Sequence, residues 1–253
     1  MFLMENLSKD AFLGGKLTLS QPVTGYRAGA DPVFLAASVP AKAGDSVLDL
    51  GCGIGAALFC LMARVPGLIT TGIEINPSYA NIARQNAADT GYGADIYKGD
   101  LTQMPDTLRQ QTFDHVMTNP PFFDRADGSA ASDEGRESAR GESVDLPAWL
   151  DAGVRRLKSK GTLTVIQRAD RLPAVLRALD TRMGDIILRP LVPRNGRPAK
   201  LILLQARKGA KGPFHLLTPL ILHKGEHHAK DGESYTEQAQ DILRNGAALP
   251  LLD

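Results

Sequence analysis

Cysteine is scarce in this chain: its 253 residues hold two, Cys52 and Cys60, eight positions apart around a glycine-rich turn and the start of a helical stretch. Such a pair builds no disulfide framework, and the scarcity fits a reducing cytoplasm. Long apolar runs are missing too. Nothing approaches the ~18 consecutive apolar residues of a membrane span. Residues 1–16 begin apolar, but Glu5 and Asp10 interrupt them at once, with no basic leader and no small-residue cleavage site, so they do not read as a signal peptide. No internal repeat is present. The remaining composition, 43% hydrophobic and 23% charged, is that of an ordinary water-soluble globular chain able to bury a sizeable core. The expectation is one domain over 1–253.

Net charge is also nearly absent, at +1, but the average hides two opposed segments. From Arg189 to Lys230 nine lysines and arginines stand against a single acid, Glu226. A basic segment on a neutral chain suggests a polyanion-binding face, with Arg194, Arg197 and Lys211 as candidate contacts. From Asp124 to Asp145 seven acids stand against three arginines, and apolar periodicity is lost. Within it, Asp124 to Ser143 reads as a polar loop, a candidate lid.

Along the chain, Leu17 to Pro22 reads as a short extended entry. Asp31 caps a short helix that Pro32 opens and that ends before Pro40. Ser46–Leu50, Leu68–Ile75, Asp95–Lys98 and Phe113–Thr118 are apolar strands, separated by helices over Ala56–Val65 and from Pro77 to about Asp89. After the polar loop come a helix over Leu146–Leu157, a strand over Thr162–Gln167, a helix over Leu172–Arg182, and two strands joined by the Arg194–Pro198 turn. This alternation indicates an α/β, doubly wound sheet whose hairpin ending makes one strand antiparallel. A further edge strand over Phe214–His223 and a terminal helix over Ser234–Arg244, capped by Ser234, complete the reading.

Two turns carry the chemistry. Phe113–Thr118 ends abruptly in Asn119-Pro120-Pro121-Phe122-Phe123. Each proline restricts the residue before it, so the Asn119 amide and its flanking carbonyls are held in fixed directions beside an aromatic ring. At the carboxyl end of a parallel strand this makes a rigid cup for a flat, polar, nitrogen-bearing group. Upstream, Gly51, Gly53 and Gly55 join a strand to a helix, where backbone must turn sharply and a ligand can touch main chain. With Ala56 they also satisfy the looser dinucleotide fingerprint, so nicotinamide or flavin binding competes. Glu74, ending the next strand, suits a ribose diol in either case. Asp49, just before the turn, would repel a pyrophosphate but suits a free ammonium group, and Asp100 offers an acceptor to an adenine amine. An ammonium, a ribose and an adenine without phosphate describe S-adenosylmethionine.

At these residues the chain resembles the class I methyltransferases that act on planar nitrogen. The matching motifs are Asp49–Gly55, Gly72-Ile73-Glu74, Gly99-Asp100 and Asn119–Phe122. Gly25-Tyr26-Arg27 with Asp31, placed ahead of the glycine turn, resembles the N-terminal motif of the tRNA (adenine-N6)-methyltransferases. The resemblance spans Gln21 to Arg207. It implies a Rossmann-like, seven-stranded sheet with its last strand antiparallel, S-adenosylmethionine as cofactor, and RNA, above all tRNA, as partner. It implies that Asp49, the three glycines, Glu74, Asp100 and Asn119 hold the cofactor. Residues 17–40, through Tyr26, Arg27 and Asp31, would close over its methionine end. Asn119, Pro120 and Phe122 would form the acceptor pocket, Phe123 would contact substrate, and residues 209–253 would form a C-terminal extension.

The motifs leave the acceptor open among adenine N6, guanine N2, protein glutamine N5 and a small-molecule amine. Phe123, standing where guanine enzymes often carry histidine, leans toward adenine. A non-catalytic RNA-binding protein on the same fold is the alternative from another class. Burying Asp49, Glu74 and Asn119 without a ligand to satisfy them would be costly, which argues against it. His223, His227 and His228 match no zinc spacing, so no metal is expected. His115 reads as a strand residue. The oligomeric state is not legible.

Overall fold

The computed structural model describes residues 6–121, 144–225 and 234–251. The candidate lid, Phe122 and Phe123, and His227 and His228 lie outside these residues.

The chain opens with an antiparallel hairpin, β1 (Leu7–Phe12) and β2 (Leu17–Pro22), in register from Leu7 opposite Pro22 to Phe12 opposite Leu17. Sequence reading expected β2 but not its partner, because β1 alternates polar and apolar residues too weakly to stand out. Helix α1 (Asp31–Ser38) follows, with Ala30 rather than Asp31 at the cap position. Then strands and helices alternate: β3 (Ser46–Leu50), α2 (Ala56–Arg64), β4 (Ile69–Glu74), α3 (Pro77–Thr90), β5 (Ala94–Lys98), the single turn α4 (Asp106–Arg109), and β6 (Phe113–Thr118). After the undescribed stretch come α5 (Leu146–Arg156), β7 (Leu157–Arg168), α6 (Leu172–Ala178), β8 (Met183–Val192) and β9 (Leu201–Lys208).

Caps fix these boundaries. Asn76 Oδ1 accepts from Ser78 N and Tyr79 N at 2.9 and 3.3 Å, Pro77 opens the first turn of α3, and Gly91 closes it in the left-handed region at φ 71°. Asp145 Oδ1 caps α5 through Ala148 N at 2.9 Å.

The main sheet runs β5-β4-β3-β6-β7-β9-β8, all parallel except β9, which is antiparallel to both neighbours. This is the expected seven-stranded, doubly wound arrangement. The expected Phe214–His223 edge strand is two short pieces, β10 (His215–Leu216) and β11 (Leu220–Ile221), each pairing with β8. Pro219 stands immediately before β11 and lacks the N–H a continuous ladder needs. The terminal helix is α7 (Glu237–Gln240) followed by a π-turn, Asp241–Asn245, and its cap is Thr236, not Ser234. Thr236 Oγ1 accepts from Ala239 N, whereas Ser234 Oγ is engaged by His223 Nδ1 at 2.9 Å.

One core, with Phe34, Phe59 and Leu61, lies under α1–α3 and the hairpin; the second, with Phe113, Leu108 and Leu150, lies under α4–α6. Because β3, β4, β6 and β7 run parallel, Leu50, Glu74, Thr118 and Arg168 all finish at the same end of the sheet. That end holds the candidate site.

Candidate active site

The end of β3 turns sharply. Gly51 N and Cys52 N both donate to the Ile73 carbonyl, at 2.9 and 3.1 Å, tying the turn to the end of β4. Gly51 has φ 69°, and a Cβ there would stand 2.6 Å from the Trp149 ring, so both the backbone and α5 require glycine. Gly53 differs: its φ is 55°, but a Cβ would meet no atom within 4 Å. Main chain there borders open space, as a ligand-facing turn should.

Two acids flank the turn. Glu74 is 8% exposed and receives main-chain N–H groups on both oxygens, from Asn76 at 2.8 Å and Gly53 at 2.9 Å. Burial still raises its pKa above the ordinary carboxyl value, against those hydrogen bonds. Asp49 is 2% exposed, and among the described residues its carboxyl has no side-chain hydrogen bond. Burial and then the nearby Glu74 charge push it up to about 8. A cation placed between these acids would relieve both.

Tyr26 lies in the loop between the hairpin and α1. As a residue it is 41% exposed, yet its phenol is pushed up to about 12, first by burial and then by Asp31, Asp49, Tyr79 and Glu74. Tyr26 N is held by the Tyr79 hydroxyl at 3.1 Å. Asp31, partly buried at the start of α1, is raised by burial. Arg27 is bound to the hairpin. Its guanidinium donates to Asp10, to Ser8 Oγ at 2.9 Å and to the Pro22 carbonyl at 2.8 Å, all on the hairpin. It anchors the loop to the hairpin. Asp100 ends the β5 segment as expected, but Oδ1 is occupied by Thr102 N and Oγ1, both at 2.7 Å, leaving Oδ2 for another donor.

At the end of β6, Asn119 Oδ1 is buried with no hydrogen-bond partner among the described residues. A buried acceptor left empty costs about 1–3 kcal/mol unless a donor arrives, so this amide is poised for one. Pro120 is buried and its carbonyl accepts from Gln167 Nε2 at 3.4 Å, while Gln167 Oε1 accepts from Arg168 N at 2.9 Å. Thr118 and Trp149 brace the turn from below. Sequence reading missed Gln167, Thr118 and Trp149. Each is a polar or aromatic group inside an apolar run, and only the sheet brings it to the turn.

Two candidate RNA contacts are corrected. Arg194 is 7% exposed, with its guanidinium donating to the Lys224 carbonyl and, at 3.0 Å, to the Gly225 carbonyl. A buried charge needs acceptors, and here two carbonyls make Arg194 a staple between segments. Lys211 is exposed but follows β9, whose last residue, Lys208, pairs with the first of β8. It stands at the opposite end of the sheet. Arg197, exposed in the β8–β9 turn, does lie at the site end, and Lys200 beside it receives Ala169 N on its carbonyl at 2.9 Å. His115 sits in β6 as expected, with Nε2 3.1 Å from Asp45 Oδ2. The His223 ring is stacked on Tyr235 at 4.6 Å between centroids.

The unpaired Asn119 oxygen, the raised acids and the open face of Gly53 fit S-adenosylmethionine. Asp49 would take the ammonium group and Glu74 the ribose diol. The sequence profile of the methyltransferase small domain matches residues 30–184. A tRNA1(Val) (adenine(37)-N6)-methyltransferase of Yersinia enterocolitica is 34% identical over 227 residues, covering 84% of this chain and 88% of that protein. One of the same name from Porphyromonas gingivalis is 30% identical over 196 residues, 72% of this chain and 76% of its own. In fold, the crystal structure of a predicted O-methyltransferase of Agrobacterium tumefaciens superposes with TM-score 0.69, covering 87% of this chain and 98% of that one at 24% identity. A profile spanning more than half of the chain, and relatives similar along most of its length, make this protein a member of the methyltransferase small-domain family, an S-adenosylmethionine-dependent N-methyltransferase.

Proposed function

We propose that the protein methylates N6 of an adenine in tRNA. The observation that carries the reading is the buried, unpartnered Asn119 Oδ1 at the rim of the acid-lined turn. An exocyclic aromatic amine is a poor nucleophile because its lone pair is delocalised into the ring. Asn119 Oδ1 and the Pro120 carbonyl accept its two hydrogens, which favours a pyramidal nitrogen and stabilises the positive charge that develops on it. Gln167 holds that carbonyl by one lone pair, leaving the other for substrate. On this reading Phe122 has the role of stacking on the base to keep the nitrogen aligned, and Phe123 that of a substrate contact. S-adenosylmethionine, when bound, supplies an electrophilic methyl on sulfur and leaves as the neutral thioether. The product ammonium is acidic enough to lose its proton to water, so the site needs no strong base.

A base within a duplex cannot enter such a cup, so the target sits in a loop or is flipped out. Arg197 and Lys200, at the site end of the sheet, guide the phosphate backbone. The names of the relatives make adenine 37 of a valine tRNA the first substrate to try. An enzyme acting on tRNA is expected to work in the cytoplasm, and we take the chain as a single domain with a cofactor-closing segment 17–40 and a C-terminal extension 209–253. The test is incubation with labelled cofactor and, separately, total unmodified tRNA and ribosomal protein. N6-methyladenosine in the tRNA digest is expected. Label confined to N2-methylguanosine or protein glutamine would replace the substrate, and binding of tRNA without any transfer would favour the non-catalytic reading.

A further inference from the structure

The hairpin β1–β2 lies ahead of the family profile, which begins at residue 30, yet it is bonded to α3 and to the glycine turn. Its base is rigid. Asn86, fully buried on α3, accepts from Ser20 N at 2.8 Å and donates to the Ser20 carbonyl at 3.1 Å and the Ile54 carbonyl at 3.0 Å. One amide thus binds β2 to α3 and to the glycine turn. The next residue, Gln21, is 2% exposed and uses both ends of its carboxamide. Nε2 donates to Asp10 Oδ2 at 2.6 Å, and Oε1 accepts from Ala28 N at 2.7 Å. The amide cannot flip, because its NH2 would then meet the Ala28 N–H and its oxygen the Asp10 carboxylate. The same Asp10 oxygen receives the Arg27 guanidinium. Residues 27 and 28 are therefore clamped on the hairpin, immediately after Tyr26, whose N–H the Tyr79 hydroxyl of α3 holds at 3.1 Å.

We propose that Gln21 is a positioning residue for the cofactor: through Asp10, Arg27 and the Ala28 amide it holds the Tyr26–Asp31 loop over the methionine end of S-adenosylmethionine, making the N-terminal hairpin a part of the cofactor site. This rests on the reading that Tyr26 and Asp31 close on that end. Freed from the hairpin, the loop must be ordered by the cofactor itself, and the ordering cost appears as lost affinity. Gln21 touches neither the reacting nitrogen nor the acceptor cup, so chemistry in the bound complex is spared.

The experiment compares wild type with Gln21→Leu, which keeps the bulk, and Gln21→Glu, which keeps the shape but sets a carboxylate against Asp10. Hydrogen exchange in the cofactor-free protein at Ala28 should quicken about tenfold in Gln21→Leu, with amides of β3, β4 and β6 unchanged. Calorimetry should show the S-adenosylmethionine dissociation constant raised about tenfold, and kcat at saturating cofactor within about twofold. Measured against wild type at the same pH, Gln21→Glu should bind poorly at alkaline pH and close the gap as acid protonates the new carboxyl, whereas the Gln21→Leu deficit should not close. Uniformly faster exchange across the sheet, or affinity unchanged despite a freed Ala28 amide, overturns the proposal. Tyr26→Ala separates the two layers. If it binds cofactor as wild type does, the reading of the loop fails; if it weakens binding and Gln21→Leu does not, the loop stands and the role of Gln21 falls.

Discussion

The Trp149 indole N–H donates to Thr118 Oγ1 at 2.8 Å, and the same hydroxyl donates to the Leu50 carbonyl, also at 2.8 Å. The residue before Asn119 is thereby tied to the residue before the glycine turn, while the Trp149 ring fills the space that a Cβ on Gly51 would need. One hydroxyl sets the acceptor cup against the cofactor turn. Thr118→Val keeps the volume but leaves the buried indole N–H without its acceptor, at a cost of about 1–3 kcal/mol in folding stability. Turnover should fall further than cofactor affinity does, because the β6 end moves relative to the turn. Urea unfolding and a kinetic titration check both halves.

Asn119→Ala removes the empty acceptor. Loss of about 2–4 kcal/mol of transition-state stabilisation corresponds to roughly 30- to 1,000-fold in kcat. Since Asp49, Glu74 and the glycine turn remain, calorimetry should find cofactor binding within a few-fold of wild type. Equal losses in both would make Asn119 a structural residue.

Asp49 links activity to instability. Its folded pKa of about 8 lies above the ordinary 3.8, so the native state holds a proton that the unfolded chain has released. Native stability from this group is complete below the ordinary value, declines through the window by up to about 1.4 kcal/mol per pH unit, and levels off above about 8. Asp49→Asn removes this titration. Without cofactor, the variant should melt above wild type by a margin that grows from about pH 5 to pH 8, while losing its affinity for S-adenosylmethionine. Wild-type affinity should rise over the same window, because a bound ammonium requires the ionised carboxylate. Scanning calorimetry at both pH values and a binding titration read the two effects, and an unchanged margin would contradict the account.

The basic residues divide by position. Arg197→Ala and Lys200→Ala should each flatten the salt dependence of tRNA binding, by about 0.7–0.9 in log–log slope for each phosphate no longer neutralised. Lys211→Ala, at the far end of the sheet, should leave the slope unchanged. Arg194→Ala should lower stability by about 1–3 kcal/mol, since the Lys224 and Gly225 carbonyls lose their donor. Filter binding over a salt series, with melts of each variant, separates these outcomes.

Sequence alone carried the sheet, because apolar strands alternating with helices admit few other arrangements, and it carried the paired turns, because glycine and proline constrain backbone locally. Asp49, Glu74 and Asn119 were legible as strand-end residues. Arg194 was not: a charge in a basic run looks solvated until the Lys224 and Gly225 carbonyls fold onto it. Lys211 and Arg197 are close in sequence but separated by the length of β9, which topology alone reveals. Gln21, Gln167 and Thr118 were hidden for a related reason. Each acts through a partner distant in the chain, and its side chain gives no local signal.

The most direct test of the central claim is mass spectrometry of nucleosides from an unmodified valine tRNA transcript incubated with the purified protein and S-adenosylmethionine, alongside a transcript carrying guanine at position 37. The account predicts N6-methyladenosine in the tRNA and none from Asn119→Ala protein; comparison of the two transcripts reads which adenine is used. Methylation that persists at undiminished level in the Asn119→Ala protein, or that falls only on guanine, would contradict it.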